Sequence, residues 1–312
     1  MPNALSTTRL CRGAKRTAAF LNPYRGLVAA EDSPLVRVRL PGGMITPAQL
    51  AALCGAASDL ASGTLELTGR ANVQLRAITD ARAIVPVLTR TGLLPSATHE
   101  QVRNIVASPL SGRVGGNADV RPWVGELDAA ICAAPRLVEL GPRFWFSLDD
   151  GSADVSGLGA DVGVHVFEDG CALLLTGRDT GIRLAAADVI TTLIAIALRF
   201  IELGEVQRLV PGADFNATPF APRTKPPVGW ISQEDGRVAL GAAVPQGVLP
   251  ARVGEFLAAI EAPLVITPWR SVLVCDLDEA VADAALRVLA PLGLIFDENS
   301  PELNVPTAVR RR

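Results

Sequence analysis

The sequence predicts an α+β fold in which two copies of one unit flank a third region of a different kind. A segment of roughly sixty residues recurs at an offset of roughly two hundred, with copies that begin near Gly42 and Gly241. In both copies the hydrophobic periodicity gives the order strand, helix, strand, strand, helix. Residues 100–226, between them, show another pattern. A repeat this long indicates a duplicated domain that pairs with its own copy and forms a groove.

The elements of the first copy follow from local signals. Val36–Leu40 alternates apolar and charged residues, as a half-buried strand does. Thr46 at the N-cap, followed by proline, starts a helix. Residues 65–78 form two short strands, and Asp80 caps a second helix that ends at Gly92. This order is compatible with a ferredoxin-like half-domain.

The middle region is expected to combine helices with a hairpin. Its predicted helices are Asp119–Ala133 and Ala185–Leu203. Its predicted strands are Arg143–Leu148, Val162–Phe167 and Cys171–Leu175, the last two joined as a hairpin.

The second copy repeats the order of the first. We expect a strand at Val238–Leu240, a helix at Pro250–Ile260, strands within 264–277 and a helix at Glu279–Leu289.

Composition limits the function classes. The chain has 312 residues, of which 49% are apolar, so it can bury sizeable cores. A net charge of -3 argues against nucleic-acid binding. The N-terminal residues lack the apolar core of a secretory signal, and the apolar run Val189–Leu198 is too short to span a bilayer. We therefore expect a cytoplasmic protein without a nucleic-acid or membrane partner.

Cysteine and histidine patterns predict no metal site. The five cysteines lie far apart and form no C-x-x-C, C-x3-C or C-x5-C pair. We interpret them as single buried thiols. His165 alternates within an apolar strand and is expected to be a core histidine. The cysteines are Cys11, Cys54, Cys132, Cys171 and Cys275.

Polar side chains concentrate at the bend between the two central strands of the first copy. Asn72, Gln74 and Arg76 share one face by period-two alternation, and Arg70 lies at the bend. Guanidinium groups bind carboxylates bidentately and keep their charge, so the pattern suits a ligand with several carboxylates. The alternative is an exposed sheet face with solvated charges.

The loop that follows the first copy is the second candidate. Arg103 and Asn104 precede a glycine-bearing stretch that contains Arg113 and ends near Asn117. Backbone N–H groups and Arg113 would bind an anion there. Glycine and serine clusters also mark ordinary connections, so both interpretations remain open.

These motifs resemble the nitrite/sulfite reductase superfamily. The resemblance rests on the Thr68-Gly69-Arg70 corner, its counterpart ending at Arg270, and the run Arg103–Gly112. Within the superfamily the chain most resembles the precorrin-3B synthases, through Val36–Gly43, Leu93–Glu100 and Asp154–Val162. The resemblance implies two ferredoxin-like half-domains that flank one haem/cluster-type α+β domain.

The resemblance also implies domain boundaries. They are an irregular segment 1–33, a first half-domain 34–99, a haem/cluster-type domain 100–226, a second half-domain 227–300 and a tail 301–312.

The activity implied is oxygen-dependent hydroxylation and lactone formation on precorrin-3A in aerobic cobalamin synthesis. It requires an external electron donor, a [4Fe–4S] cluster and a second iron centre, either sirohaem-type or mononuclear. Arg143 falls where sulfite and nitrite reductases place a basic anion-binding pair, whereas the other member here is Trp145. The residues that would line the tetrapyrrole groove are Arg70, Asn72, Gln74, Arg76, Arg103, Asn104, Arg113, Arg143 and Arg270.

The cysteines of this chain depart from the pattern of the superfamily. In the superfamily a C-x5-C and a C-x3-C pair follow the second half-domain, and neither occurs here. The expectation is a C-terminally shortened enzyme with impaired activity, which a second polypeptide would complete. The alternatives are a non-catalytic tetrapyrrole-binding protein and a fragment of a sirohaem sulfite or nitrite reductase, which Trp145 disfavours.

Overall fold

The computed structural model describes residues 27–29, 34–204, 218–223 and 225–304. None of the helices in these ranges has the length and hydrophobicity needed to cross a bilayer. The α-helices in these ranges are α1 Pro47–Leu60, α2 Ala81–Arg90, α3 Arg121–Ala133, α4 Val189–Leu203, α5 Ala251–Ala258 and α6 Glu279–Leu289.

The strands of the same ranges form three five-stranded sheets. The first eight are β1 Leu27–Ala29, β2 Pro34–Val38, β3 Met44–Ile45, β4 Thr64–Leu67, β5 Val73–Arg76, β6 Ile105–Ala107, β7 Phe146–Asp149 and β8 Val162–Phe167. The others are β9 Gly170–Leu175, β10 Arg178–Leu184, β11 Gly229–Ser232, β12 Val238–Ala243, β13 Val248–Pro250, β14 Leu264–Ile266 and β15 Ser271–Leu277.

The two half-domains exchange strands. The first sheet has the order β1-β2-β5-β4-β13, and its outer strand β13 comes from the second half-domain. The second sheet has the order β11-β12-β15-β14-β3, and its outer strand β3 comes from the first. Leu249 pairs with Leu65 at one junction, and Leu264 pairs with Ile45 at the other. The predicted pairing of the duplicated copies is confirmed.

A single hydrophobic core underlies both half-domains. Leu50 and Leu53 of α1 share it with Leu249 and Leu257 of the second half-domain, and all four side chains are fully buried. Each fully buried leucine contributes about 2 kcal/mol of hydrophobic stabilisation. Helices α1 and α5 pack together here, with Gly254 leaving room for the thiol of Cys54. Separating the half-domains would therefore expose the core of both.

The middle domain is built on a mixed sheet. Its order is β10-β9-β8-β7-β6, in which β6, β7 and β8 run parallel and β8, β9 and β10 antiparallel. Helices α3 and α4 pack together, and their buried residues Leu127 and Leu193 share a core with Phe146 of the sheet. The turn at Pro41–Gly43 contacts β6, which ties this domain to the first half-domain.

Local signals predicted several elements well. Thr46 and Gln49 form a reciprocal capping box at α1, as the N-cap prediction requires. Strand β8 and helix α6 have the predicted bounds. The predicted strand Arg143–Leu148 instead begins at Phe146, because the preceding residues turn, with Phe144 N–H donating to the Gly141 carbonyl.

The irregular segment predicted for residues 1–33 is wrong at Leu27–Ala29. These residues form β1, which pairs antiparallel with β2. Three apolar residues are too few to show the alternation by which a strand is recognised in sequence. The rest of that segment and residues 305–312 of the predicted tail lie outside the described ranges.

Gly43 offers a test of the strand exchange. Its φ is +71°, and a Cβ there would overlap the carbonyl oxygen of Ile266 in the other half-domain. Gly43→Ala should therefore lower the free energy of unfolding by about 3 kcal/mol, through backbone strain and displacement of the neighbouring strand. Urea denaturation measures the change.

The matched control is Gly63→Ala. Gly63 has a φ of +75° but open space where the methyl group would lie. Gly63→Ala should therefore lower the free energy of unfolding by only about 1 kcal/mol, the cost of a left-handed backbone conformation for alanine. Equal losses for the two variants would contradict the contact with the second half-domain.

Candidate functional site

A cavity of about 600 Å³ opens between the first half-domain and the middle domain. We call it the arginine pocket, because four of its lining residues are arginines. Its lining consists of Leu35, Arg37, Arg39, Thr68, Gly69, Arg70, Asn72, Glu100, Gln101, Pro142 and Arg143. The predicted site residues Arg70, Asn72 and Arg143 are thus brought together.

Arg37 and Arg39 line this pocket but are missing from the predicted site residues. Val36 and Val38 on β2 are buried in the core, so alternation directs the two arginines to the opposite face. Arg37 Nη2 donates to Gln74 Oε1 at 2.9 Å, and Arg39 Nη2 donates to the Gln101 carbonyl at 3.2 Å. The alternation of apolar and charged residues along β2 is the sequence signal from which these two arginines could have been predicted.

Arg70 is held at the rim by two neutral groups. Its Nη1 donates to the carbonyl oxygen of Pro142 at 3.4 Å. Its guanidinium carbon lies 5.4 Å from the centre of the Trp145 ring, within the range of cation–π attraction. Neither contact neutralises the positive charge, so Arg70 keeps its ability to bind an anion.

Burial, repulsion and nearby carboxylates shape the electrostatics of the pocket. Burial, and then repulsion from Arg76, lowers the pKa of Arg37, whereas attraction by Glu100, which also lines the pocket, acts in the opposite direction. Burial also lowers the pKa of Arg70, where repulsion from Arg37 and Arg143 acts against attraction by Asp161. Arginine stays protonated despite such shifts. A bound anion would relieve this repulsion, so the arrangement favours a ligand with several negative groups.

Two asparagines join the walls of the pocket. Asn72 Nδ2 donates to Asn104 Oδ1 at 3.3 Å. Asn104 is fully buried, and its Nδ2 lies 3.1–3.2 Å from three backbone carbonyl oxygens. These carbonyls belong to Gln101, Pro142 and Phe144. Asn104 therefore positions lining residues without lining the pocket itself.

Gln74 and Arg76 lie beside the pocket. Gln74 Nε2 donates to Glu66 Oε2 at 2.9 Å, and Arg76 Nε lies 2.7 Å from both Glu66 oxygens. Gln74 also accepts from Arg37, so it connects the pocket to Glu66. Both side chains lie on the predicted face of the strand, but they form hydrogen bonds within the protein and do not line the pocket.

Two predicted arginines are held in ion pairs elsewhere. Arg103 donates to both oxygens of Asp128 at 2.7 Å, and Arg113 donates to those of Asp276 at 2.7 and 2.8 Å. Both arginine side chains are buried. Arg113 faces a separate cavity of about 360 Å³. The structure does not bring these two residues to the arginine pocket.

The second half-domain repeats the corner with different side chains. Ala71 and Arg270 both adopt a positive φ, of 56° and 59°. Arg270 is thus the counterpart of Ala71, whereas Trp269 takes the place of Arg70. Trp269 packs near Trp145 and donates from Nε1 to the carbonyl of Arg223 at 2.7 Å. Arg270 does not line the arginine pocket.

The middle domain contains a buried polar cluster that sequence reasoning missed. His165 Nδ1 lies 3.0 Å from Ser156 Oγ and 3.2 Å from Asp149 Oδ1. Asp149 also accepts four backbone N–H bonds from the loop that follows it. Serine and aspartate meet the same ring nitrogen, whereas a proton relay uses the two opposite nitrogens. The cluster anchors the loop, and His165 is the buried core histidine that was predicted.

Asp154 is a buried carboxyl group in the same region. Ser108 Oγ donates to its Oδ1 at 2.7 Å. Burial, and then repulsion from Asp149, raises the pKa of Asp154 to about 6. The carboxyl group is therefore partly protonated in mildly acidic solution.

Comparisons with known proteins agree with this architecture. Residues 31–84 match the family described as Nitrite/Sulfite reductase ferredoxin-like half domain. A precorrin-3B synthase from Sinorhizobium sp is 28% identical, over 88% of this chain and 65% of the relative. The structure of the Mycobacterium tuberculosis NirA protein superposes with a TM-score of 0.68 at 18% identity, over 85% of this chain and 57% of that chain.

These similarities confirm the resemblance to the nitrite/sulfite reductase superfamily. They also confirm the α+β fold of that type and the similarity to precorrin-3B synthase. The chain spans 65% of the length of the curated relative.

The described cysteines do not fit an iron–sulfur cluster. Cys54, Cys132, Cys171 and Cys275 are free thiols on separate elements. Burial raises the pKa of Cys54 to about 12 and that of Cys275 to about 11, which disfavours the thiolate a cluster requires. Within the described ranges, no three histidine, cysteine, aspartate or glutamate residues are grouped to hold a metal ion. Cys11 lies outside these ranges.

Asn104→Asp tests the link between the pocket walls. The substituted carboxylate has no N–H to donate and would face three carbonyl oxygens in a buried position. We expect a loss of about 3 kcal/mol in the free energy of unfolding, measured with urea at pH 7. Asn299→Asp, at an exposed position, should leave stability unchanged. Comparable losses in the two variants would contradict a positioning role for Asn104.

Asp154→Asn tests the buried carboxyl group. Between pH 3.8, the ordinary pKa, and about pH 6, the carboxyl group of Asp154 keeps its proton in the folded protein and has lost it in the unfolded chain. Stability from this group therefore falls as the pH rises through that window. The asparagine variant should be more stable than the wild type by about 2 kcal/mol at pH 7, with no such advantage near pH 4.

Urea denaturation at both pH values measures this difference. Asp169→Asn, in an exposed hairpin turn, removes the same charge and should show no pH-dependent difference. A gain for Asp154→Asn of equal size at both pH values would show that ionisation is not its cause.

Proposed function

We propose that the arginine pocket binds a carboxylate-bearing tetrapyrrole, and that the chain supplies the substrate-binding part of an oxidoreductase of the precorrin-3B synthase type. The observation that supports this is the convergence of Arg37, Arg39, Arg70 and Arg143 on one cavity of about 600 Å³. Acidic tetrapyrroles carry several carboxylates around one ring. Separate guanidinium groups around a cavity suit such a ligand better than they suit one small anion.

The reaction we propose is oxygen-dependent hydroxylation and lactone formation on precorrin-3A. The similarity to a precorrin-3B synthase supports this class. In this proposal the arginines bind and orient the carboxylate arms. Arg70 lies over the Trp145 ring, so the same contact that orients its guanidinium places an aromatic surface beside the pocket.

The iron centres of this family would activate oxygen and transfer electrons. The described residues do not fit the cluster. Catalysis would therefore require thiolate ligands from outside these residues, for example from a second polypeptide, together with an external electron donor.

A second candidate is a tetrapyrrole-binding protein without catalytic activity. A formed arginine pocket, combined with cysteines that do not suit a cluster, favours it. Substrate turnover in the presence of an electron donor and reconstituted iron–sulfur components would exclude this candidate. Binding without turnover would support it.

Binding is tested by titration with uroporphyrin, a porphyrin with eight carboxylates, monitored by tryptophan fluorescence. The wild type should bind uroporphyrin, and the affinity should fall as salt is added, because exposed charges are screened. Octaethylporphyrin, which lacks carboxylates, should bind far more weakly. Equal affinity for the two porphyrins would contradict the proposal.

Arg70→Met should weaken uroporphyrin binding about tenfold, because it removes one charge-assisted carboxylate contact while keeping much of the side-chain volume. Arg237→Met is the matched control, since Arg237 is exposed and lies outside the pocket. It removes the same charge and should change the affinity less than twofold. Equal effects of the two variants would show that only the net charge matters.

A further inference from the structure

We infer that Glu66 is a positioning residue for the arginine pocket, acting through Gln74 on the guanidinium group of Arg37. Glu66 does not line the pocket. The inference rests on the proposed function, because it concerns how tightly the same pocket holds a ligand with several carboxylates.

Glu66, Gln74 and Arg37 form a row across three neighbouring strands. Gln74 on β5 is directly opposite Glu66 on β4 and also directly opposite Arg37 on β2. Gln74 Nε2 donates to Glu66 Oε2, and Arg37 Nη2 donates to Gln74 Oε1, both at 2.9 Å. Two hydrogen bonds therefore lead from the carboxylate to a pocket arginine.

The chemistry of the row fixes the orientation of the Gln74 amide. A guanidinium group only donates and a carboxylate only accepts, so the amide oxygen must face Arg37 and the amide nitrogen must face Glu66. Gln74 is only 4% exposed, which leaves little water to replace either bond. Arg76 holds Glu66 in turn, with Nε 2.7 Å from both carboxylate oxygens.

Without a hydrogen-bond acceptor at position 66, this constraint disappears. The amide of Gln74 would be able to turn its NH₂ group toward Arg37, where two donors repel each other. The guanidinium group of Arg37 would then lose its hydrogen bond to the Gln74 amide oxygen, which helps to orient it in the pocket. A charged group that is held in place before binding loses less conformational entropy when the ligand binds. A loosened Arg37 should therefore bind carboxylates less tightly.

The sign of the effect separates positioning from simple charge. Glu66 is negative, so if it acted only through its charge, Glu66→Met would strengthen the binding of a polyanion. If Glu66 positions Arg37, the same substitution weakens binding. The two explanations predict opposite changes in one measured dissociation constant.

The experiment is uroporphyrin titration of the wild type and Glu66→Met, which removes the acceptor as well as the charge, at the same ionic strength. We expect the dissociation constant to rise about three- to tenfold, the range of one lost hydrogen bond. Glu202→Met is the matched control, since Glu202 also forms an exposed ion pair with an arginine but lies outside the pocket. Unchanged or tighter binding by Glu66→Met would overturn the inference.

A double-mutant cycle tests whether the effect passes through Arg37. In an Arg37→Met background, Glu66→Met should change the dissociation constant less than twofold, because the group that residue 66 positions is gone. Gln74→Leu removes the link without changing the charge and should weaken binding as Glu66→Met does. Full, additive effects in the double variant would overturn the inference.

A spectroscopic readout separates failure of this inference from failure of the proposed function. A wild type that does not bind uroporphyrin contradicts the proposed function, whatever Glu66 does. The side-chain amide resonances of Gln74 still report the row without a ligand. They should shift in Glu66→Met and stay unchanged in Glu202→Met, and an unshifted signal in Glu66→Met would overturn the inference.

Discussion

The reciprocal exchange of strands between the half-domains is the constraint on which the rest of the structure depends. Strand β13 completes the first sheet and β3 completes the second, so each copy supplies an edge that the other lacks. The exchange occurs over short strands, at turns where Gly43 and Gly247 both have a φ of 71°. Only a backbone without side chains passes so close to the neighbouring strand at Ile266. The common core of α1 and α5 then makes the pairing a condition of folding.

Strand exchange also places the two polar corners beside one another. A Cβ on Gly69 of the first corner would lie 3.9 Å from the carbonyl oxygen of Pro268 in the second. The corners have the same backbone shape but differ in chemistry, since Trp269 stands where the first copy has Arg70. Trp145 of the middle domain contacts Arg70 and belongs to the apolar cluster against which Trp269 packs. Duplication therefore supplied the shape twice, whereas only the first corner contributes an arginine, Arg70, to the arginine pocket.

The caps and bends of the structure could be predicted from the sequence, whereas the contacts between residues distant in the chain could not. The cap at Thr46 and the bend at Arg70 depend on neighbouring residues, and both were predicted. The pairing of Arg103 with Asp128 depends on how α3 packs, and the pairing of Arg113 with Asp276 joins residues from different domains. No periodicity encodes such contacts, so both arginines were predicted as ligands. Alternation along β2 did encode the direction of Arg37, because one face of that strand is the core.

The role of each arginine depends on the groups that surround its guanidinium group. Arg103 and Arg113 are buried beside carboxylates, which satisfy their donors and cancel their charge where water is excluded. In the arginine pocket, Arg37 donates to an amide oxygen, and Arg39 and Arg70 donate to backbone carbonyls. Neutral acceptors orient a guanidinium group without cancelling its charge at that contact. The fold thus separates arginines held in ion pairs with aspartates from arginines that neutral acceptors orient in the pocket, where Glu100 is the neighbouring carboxyl group.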